Sequence, residues 1–173
     1  MSEAWIIDAC RSPRGIGKQG KGALAGMHPQ HVAASVLKAI ASRNQLDTAE
    51  VDDIIWGTSA QVGAQSGDLA RMAALDAGYD LRASGVTLDR FCGSGITSVN
   101  LAAGMVMSGM EDLLIAGGTE MMSMPARRLG DGPPMMDSGN LRLRDSHPQS
   151  HQGVCADAIA TMEKISRQAL DAL

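Results

Sequence analysis

Val86-Thr87-Leu88-Asp89-Arg90-Phe91-Cys92-Gly93-Ser94-Gly95-Ile96-Thr97-Ser98 sets a cysteine between an apolar, β-branched run and a glycine-opened stretch of small residues. Val86 to Leu88 has the composition of a strand, and Ile96 to Met107 carries apolar side chains at helical spacing. The stretch therefore reads as strand, turn and helix, with Cys92 at the turn. A thiol there meets the positive end of the helix, where unpaired N–H groups and the dipole favour an anion and hence the thiolate. The dipole alone is worth about 0.3–2 kcal/mol, which only partly ionises an ordinary thiol at neutral pH. An efficient nucleophile would also need an imidazole supplied from elsewhere. The glycines after Cys92 let a substrate approach the backbone, and the exposed N–H groups suit a developing oxyanion. A buried structural cysteine is the plainer alternative, since free cysteines are usually buried, but a glycine-flanked turn argues against it.

Outward from this turn, the chain alternates between strand-like and helical patterns. Ala4 to Cys10 reads as a buried first strand, which makes Cys10 a core residue, and Pro29 to Ser42 as a helix with Val32, Val36, Leu37 and Ile40 on one face. Ile54-Ile55-Trp56 is a second strand, Leu69 to Ala77 a helix ending near Gly78, Gly85 to Leu88 a third strand, and Leu113 to Ala116 a fourth. Such alternation implies an α/β fold with right-handed crossovers and a mostly parallel sheet covered by helices on both faces. Thr119 to Gln152 is rich in Met, Pro, Gly and Arg, shows little periodicity, and is too long for an ordinary connection. It reads as an excursion from the core, followed by a helix over Val154 to Ile165.

Composition narrows the function classes. The 173 residues carry 15 basic and 19 acidic side chains, a net charge of −4, with no extended basic face. Trp5, Trp56, Tyr79 and Phe91 are the only aromatic residues besides histidine, so nucleic acid is not an expected partner. Cys10, Cys92 and Cys155 have neither metal-ligand spacing nor an even disulfide set. This fits a reducing compartment, and with no leader-like start and no apolar run of membrane-spanning length the expected location is the cytoplasm, with no membrane span. Gly15-Ile16-Gly17-Lys18-Gln19-Gly20 spells a dinucleotide fingerprint, but Arg11 to Arg14 separates it from the strand and Lys21-Gly22 prolongs the loop. His147 and His151 are four residues apart, yet Pro148 opposes a helix there, so no metal is expected. His28 and His31 read as solvent-facing residues at a helix start, and Ser94 and Ser98 as structural.

The context VTLDRFCGSGITSVNLAA over residues 86–103 resembles the nucleophile motif of the thiolase family, N-R-x-C-[GS]-S-G followed by a helix. Arg11-Ser12-Pro13-Arg14-Gly15 resembles the family's R-T-P-x-G, Ala64-Gln65-Ser66-Gly67-Asp68-Leu69-Ala70-Arg71 its G-Q-N-x-A-R, and Ala116 to Ser123 its A-G-G-x-E-S-M-S. More loosely, His151-Gln152-Gly153-Val154-Cys155-Ala156-Asp157 is similar to H-M-G-x-T-A-E, and Ile165 to Gln168 to I-S-R-E. Asp89, Met121 and Gln152 depart from the usual Asn, Ser and Met.

The resemblance implies a thiolase-like N-terminal domain: an α/β core over residues 1–118 and part of a loop domain over 119–173, with the C-terminal thiolase domain absent. It implies strand order 3-2-1-4 with a fifth, antiparallel strand beyond Leu173. It also implies an acyltransferase that cleaves 3-oxoacyl-CoA or condenses acyl-CoA through a Cys92 acyl-enzyme, with the Cys92 N–H as oxyanion donor. Coenzyme A or acyl-CoA would be substrate rather than bound cofactor, and His151 would lie beside the pantetheine. The family's activating histidine and second cysteine belong to the other half. Expected partners are a second copy, in a homodimer or homotetramer, or a separate C-terminal half. Met121, Met122, Met124, Met135 and Met136 suit either an acyl-chain groove or ordinary packing. Two alternatives stand beside this reading: a non-catalytic thiolase-like fragment that dimerises or binds a partner, and a ketoacyl synthase-like condensing enzyme.

Overall fold

The computed structural model describes residues 3–124 and 137–173. The chain divides into two compact units, residues 1–127 and 128–173.

The first unit is built on a three-stranded parallel sheet. Its strands are β1 (Asp53–Gly57), β2 (Val86–Leu88) and β3 (Leu114–Gly118), in the order β2-β1-β3. Three helices accompany them: α1 (Pro29–Asn44), α2 (Leu69–Ala77) and α3 (Ser94–Ser108). The alternation of side chains along β1 sorts the helices. Ile54 and Trp56 enter a core with Ala33 and Leu37 of α1 and Leu69, Ala70, Ala73 and Ala74 of α2. Gly57, on the opposite face, lies against the start of α3, so helices cover both faces. Fully burying a side chain such as Leu37 or Ile54 contributes roughly 1.5–3 kcal/mol, and this cluster is the unit's main apolar store.

Local chemistry sets the helix limits. Pro29 opens α1 behind His28, whose Nδ1 accepts the Gln30 N–H at 3.3 Å. Gly78 and Gly109 end α2 and α3 in the left-handed region, which glycine enters without a steric cost. On α3, Ser94, Ser98 and Ala102 fall at four-residue spacing and are buried, so small side chains bring the helix close to the strands. Ser98 Oγ donates to the Gly95 and Gly117 carbonyls at 2.7 and 2.9 Å, the structural role expected of it.

Two expectations are corrected. Residues 4–10 do not form a strand: Trp5, Ile6 and Ile7 are 80%, 82% and 77% exposed, and the segment is held by Asp8, which accepts from Arg43 and Asn44, each at 2.9 Å. Cys10 is only partly buried, its Sγ 3.7 Å from the Val36 carbonyl. Nor does a first strand lie between the second and fourth of the expected order. β1 pairs directly with β3 over five residues, from Asp53 with Leu114 to Gly57 with Gly118. The glycines of β3 explain the closeness of this pairing, because a Cβ on Gly117 would lie 2.5 Å from the Trp56 ring and one on Gly118 2.6 Å from the Gly57 carbonyl oxygen.

Phe91–Ser108 meets the length and composition of a membrane span, although Ser94, Thr97, Ser98 and Asn100 interrupt its apolar residues. Only Ser94–Ser108 is one helix, however, and its 15 residues extend about 22 Å, short of a hydrocarbon core of roughly 30 Å.

The second unit contains α4 (Leu141–Ser146), α5 (Gln152–Met162) and α6 (Arg167–Asp171). The short α4 was hidden within the aperiodic excursion. It is capped by Asn140 and tied by Arg144, which donates to both carboxylate oxygens of the buried Asp137 at 2.6 and 2.7 Å.

Candidate active site at the Cys92 turn

The C-terminal ends of all three strands meet around one turn, the position where parallel sheets place their ligands. β2 ends at Leu88, whose carbonyl accepts the Thr58 N–H at 3.0 Å, and the Gly57 carbonyl accepts the Thr119 N–H at 3.0 Å. Residues 89–93 then turn the chain from β2 into α3. Asp89 Oδ1 accepts the Phe91 N–H at 2.7 Å, so the aspartate that replaces the family's usual asparagine still closes the turn. Phe91 takes φ = 49°, a left-handed conformation that costs a bulky residue energy and puts Cys92 at the crest.

Cys92 is exposed, immediately before Gly93, the residue that caps α3. The Gly93 and Ser94 N–H groups are engaged by the Arg90 and Phe91 carbonyls at 3.0 and 3.1 Å. The backbone of Cys92 forms an isolated bridge with Arg90, which holds the turn closed. Ser94 holds the turn from below: its Oγ accepts the Arg90 N–H at 2.8 Å and donates to the Phe91 carbonyl at 2.7 Å, and it lies 3.4 Å from the Thr58 carbonyl. Such an arrangement exposes a thiol at the N-terminal end of a helix, on a turn fixed by its own backbone and by Ser94.

Beneath the turn lies a polar network that the sequence motifs contained without revealing its function. Glu120 Oε2 accepts from the Ser59 N–H at 2.7 Å and from the Ser59 and Thr58 hydroxyls, while Oε1 accepts from Gln65 Nε2 at 3.0 Å. Gln65 is buried and also donates to Thr58 Oγ1 and the Ala60 carbonyl, and its Oε1 accepts the Met121 N–H at 2.6 Å. Burial pushes the Glu120 carboxyl up, but the donors from Gln65, Ser59 and Thr58 outweigh it and hold the group below its ordinary range. The signal for both residues was present in the Gln65 and Glu120 motifs, yet no spacing rule brings positions 65 and 120 together.

His151, in the second unit, caps α5 and is exposed, its Nδ1 accepting the Gly153 N–H at 3.1 Å. Cys155 is also exposed. His31 faces Asp76 at 3.0 Å. Gly15 to Gly20 is a loop, and the next helix opens only at Pro29, so the dinucleotide reading has no helix to support it. Met121 is buried and Met122 exposed, while Met135 and Met136 lie outside the described residues. No group of three or more His, Cys, Asp or Glu side chains among the described residues could hold a metal ion.

Comparison with known proteins places this geometry in context. Over 114 residues the chain is 43% identical to a steroid 3-ketoacyl-CoA thiolase of Mycobacterium tuberculosis, covering 66% of this chain and 27% of that protein. It is 44% identical over 115 residues to a beta-ketoadipyl-CoA thiolase of Escherichia coli, covering 66% and 28% respectively. The crystal structure of the Bacillus anthracis acetyl-CoA acetyltransferase superimposes with a TM-score of 0.74 at 29% identity, covering 96% of this chain and 43% of that one. The chain thus spans about 27% of the first relative's length and 28% of the second's. Residues 4–173 match the family described as the thiolase N-terminal domain, and the chain belongs to the thiolase family.

Proposed function

We propose that Cys92 is the nucleophile of a thiolase-type acyltransferase and that this chain supplies the nucleophile-bearing part of the active site. In the cleavage direction the Cys92 thiolate attacks the 3-keto carbonyl of a 3-oxoacyl-CoA, and the carbonyl electrons move onto oxygen beside the Cys92 N–H. Collapse of this adduct breaks the C2–C3 bond. The C2 carbanion leaves as acetyl-CoA after taking a proton, and the acyl group remains on sulfur. Free coenzyme A, losing its thiol proton, then attacks the acyl-enzyme, releases the shortened acyl-CoA and restores Cys92. Condensation runs the same steps backwards. The proton transfers require an acid and a base, which the family resemblance assigns to the other half.

The observation that carries this reading is the exposed thiol on the turn that leads into the N-terminus of α3, at the C-terminal end of β2. Residues 1–118 are read as the thiolase core and 119–173 as part of the loop domain, with His151 beside the coenzyme A pantetheine. A C-terminal half, fused or separate, completes the site, and a homodimer or homotetramer is the expected assembly in the cytoplasm. Limited iodoacetamide treatment with peptide mapping, in the chain complemented by a thiolase C-terminal half, tests the nucleophile. Cys92 should be alkylated first and 3-oxoacyl-CoA cleavage lost with it. Preferential labelling of Cys10 or Cys155 would refute the assignment.

A further inference from the structure

The turn that carries Cys92 is not anchored by its own residues alone. Its lower support is Thr58, which is 2% exposed and contacts three separate segments. The Thr58 N–H reaches the end of β2 at Leu88, its carbonyl lies 3.4 Å from Ser94 Oγ, and its hydroxyl lies between Glu120 Oε2 at 3.4 Å and Gln65 Nε2 at 3.2 Å. Ser94 Oγ in turn binds the backbone on both sides of Phe91, one residue from the thiol. A continuous path therefore runs from Glu120 through Thr58 and Ser94 to the Cys92 turn.

We propose that Glu120 is a positioning residue for the Cys92 nucleophile. Its carboxylate gathers the donors of Thr58, Ser59 and Gln65 so that the loop after β1 presents the Thr58 carbonyl to Ser94. This inference rests on the reading of Cys92 as nucleophile and deepens it. The chemistry favours a carboxylate at this point. The Ser59 N–H, Ser59 hydroxyl, Thr58 hydroxyl and Gln65 amide all aim donors at one group, and an ionised carboxylate has acceptor capacity for all four. An amide cannot replace it. With its oxygen toward Ser59, the nitrogen of a glutamine at position 120 would face Gln65 Nε2, donor against donor, and Gln65 cannot turn over because its Oε1 holds the Met121 N–H. The loss reaches the turn as misplacement, and a near-attack geometry shifted by about 1 Å costs roughly 100-fold in rate.

The test is the rate constant for iodoacetamide alkylation of Cys92, together with kcat and KM for thiolysis, in the chain complemented by a thiolase C-terminal half. Glu120→Gln should lower the alkylation rate and kcat about 10-fold or more while KM changes little, part of the loss that misplacement can cause. Because that variant could fail to fold, Thr58→Val and Thr58→Ser provide a second arm. Both keep the fold's backbone contacts, but only serine keeps the hydroxyl, so Thr58→Val should show the loss and Thr58→Ser the near-normal rate. Tyr79→Phe, which removes a hydrogen bond on the opposite face of the sheet, should lower thermal stability without altering alkylation. Equal rates in the wild type, Glu120→Gln and Thr58→Val, with Cys92 still labelled first, would overturn the proposal and leave the nucleophile intact. Wild-type labelling that favours another cysteine would overturn the nucleophile reading and this proposal with it.

Discussion

Gly57 lies so close to Ser94 that a Cβ added to it would stand 2.7 Å from the Ser94 carbonyl carbon and 2.8 Å from its oxygen. The first turn of α3 therefore rests directly on β1, and the height of the Cys92 turn above the sheet is set by the absence of a side chain at position 57. Backbone cannot step aside as a flexible side chain would. Gly57→Ala should consequently lift the start of α3 and cost about 1–3 kcal/mol of stability, as overpacked positions do. It should also slow alkylation of Cys92. Denaturant unfolding and iodoacetamide kinetics on the same sample check both effects. Unchanged stability would mean that α3 is not seated as described.

Leu37→Ala addresses the core on the other face. Leu37 is fully buried among residues of β1, α1 and α2, and its truncation should cost about 2–5 kcal/mol, measured by urea unfolding. A loss below about 1 kcal/mol would indicate that this cluster does not carry the fold.

Much of this architecture was legible locally. The limits of α2 followed from Leu69, the apolar spacing and Gly78, and the Cys92 turn from a β-branched run meeting glycines and small residues. What escaped was decided by contacts between distant positions. Ala4 to Cys10 has strand composition, but composition does not say whether a neighbouring edge is available, and here β1 takes β3 as its partner instead. Ser94 could be read as structural, yet its partner Thr58 lies 36 residues away. Gln65 and Glu120, separated by 55 positions, became a network only when the ends of β1 and β3 met.

Tyr79 offers a spectroscopic test, because it is the sole tyrosine. Burial, reinforced by the nearby Cys10, pushes its phenol up to about 12, and its hydroxyl donates to the Leu37 carbonyl at 2.9 Å. The neutral phenol is the form the fold favours. A folded value above the unfolded value of about 10 contributes stability that is fully present below pH ~10 and is lost as pH rises toward 12. Phenolate absorbance should therefore titrate near 12 in the folded chain and near 10 in denaturant, and Tyr79→Phe should flatten the alkaline loss of stability. A folded-state titration near 10 would contradict the buried placement.

Asp137 makes the opposite prediction at acid pH. The Arg144 guanidinium and the Gly139 N–H at 2.9 Å hold its carboxyl down to about 2, against the opposing effect of burial. Since the folded value lies below the unfolded value of about 3.9, the stabilisation is present above pH ~4 and is lost as pH falls through 2. Protection of the α4 amides, corrected for the intrinsic exchange rate, should fall across that window. Asp137→Asn should lower protection at neutral pH and remove the acid dependence. Identical acid profiles for the variant and the wild type would show that this ion pair does not hold α4.

The outward face of α3 leads to a prediction about the chain on its own. Ser94, Ser98 and Ala102 bury one stripe against the sheet, while Ile96 is 71% exposed and Val99, Leu101 and Met107 also face outward. Met110, just beyond the helix, is 68% exposed. An apolar surface of this kind rarely remains uncovered in a stable monomer. Val86 on β2 is exposed as well, beside a strand edge without a partner among the described residues. The isolated chain should therefore self-associate at micromolar concentration, bind a hydrophobic dye, and elute earlier from a sizing column as concentration rises. Ile96→Glu combined with Leu101→Lys should shift it toward the monomer and reduce dye binding without loss of helical signal, because both side chains point away from the sheet. Elution as a monomer at every concentration, with no dye bound, would show that this face is not an adhesive surface in solution.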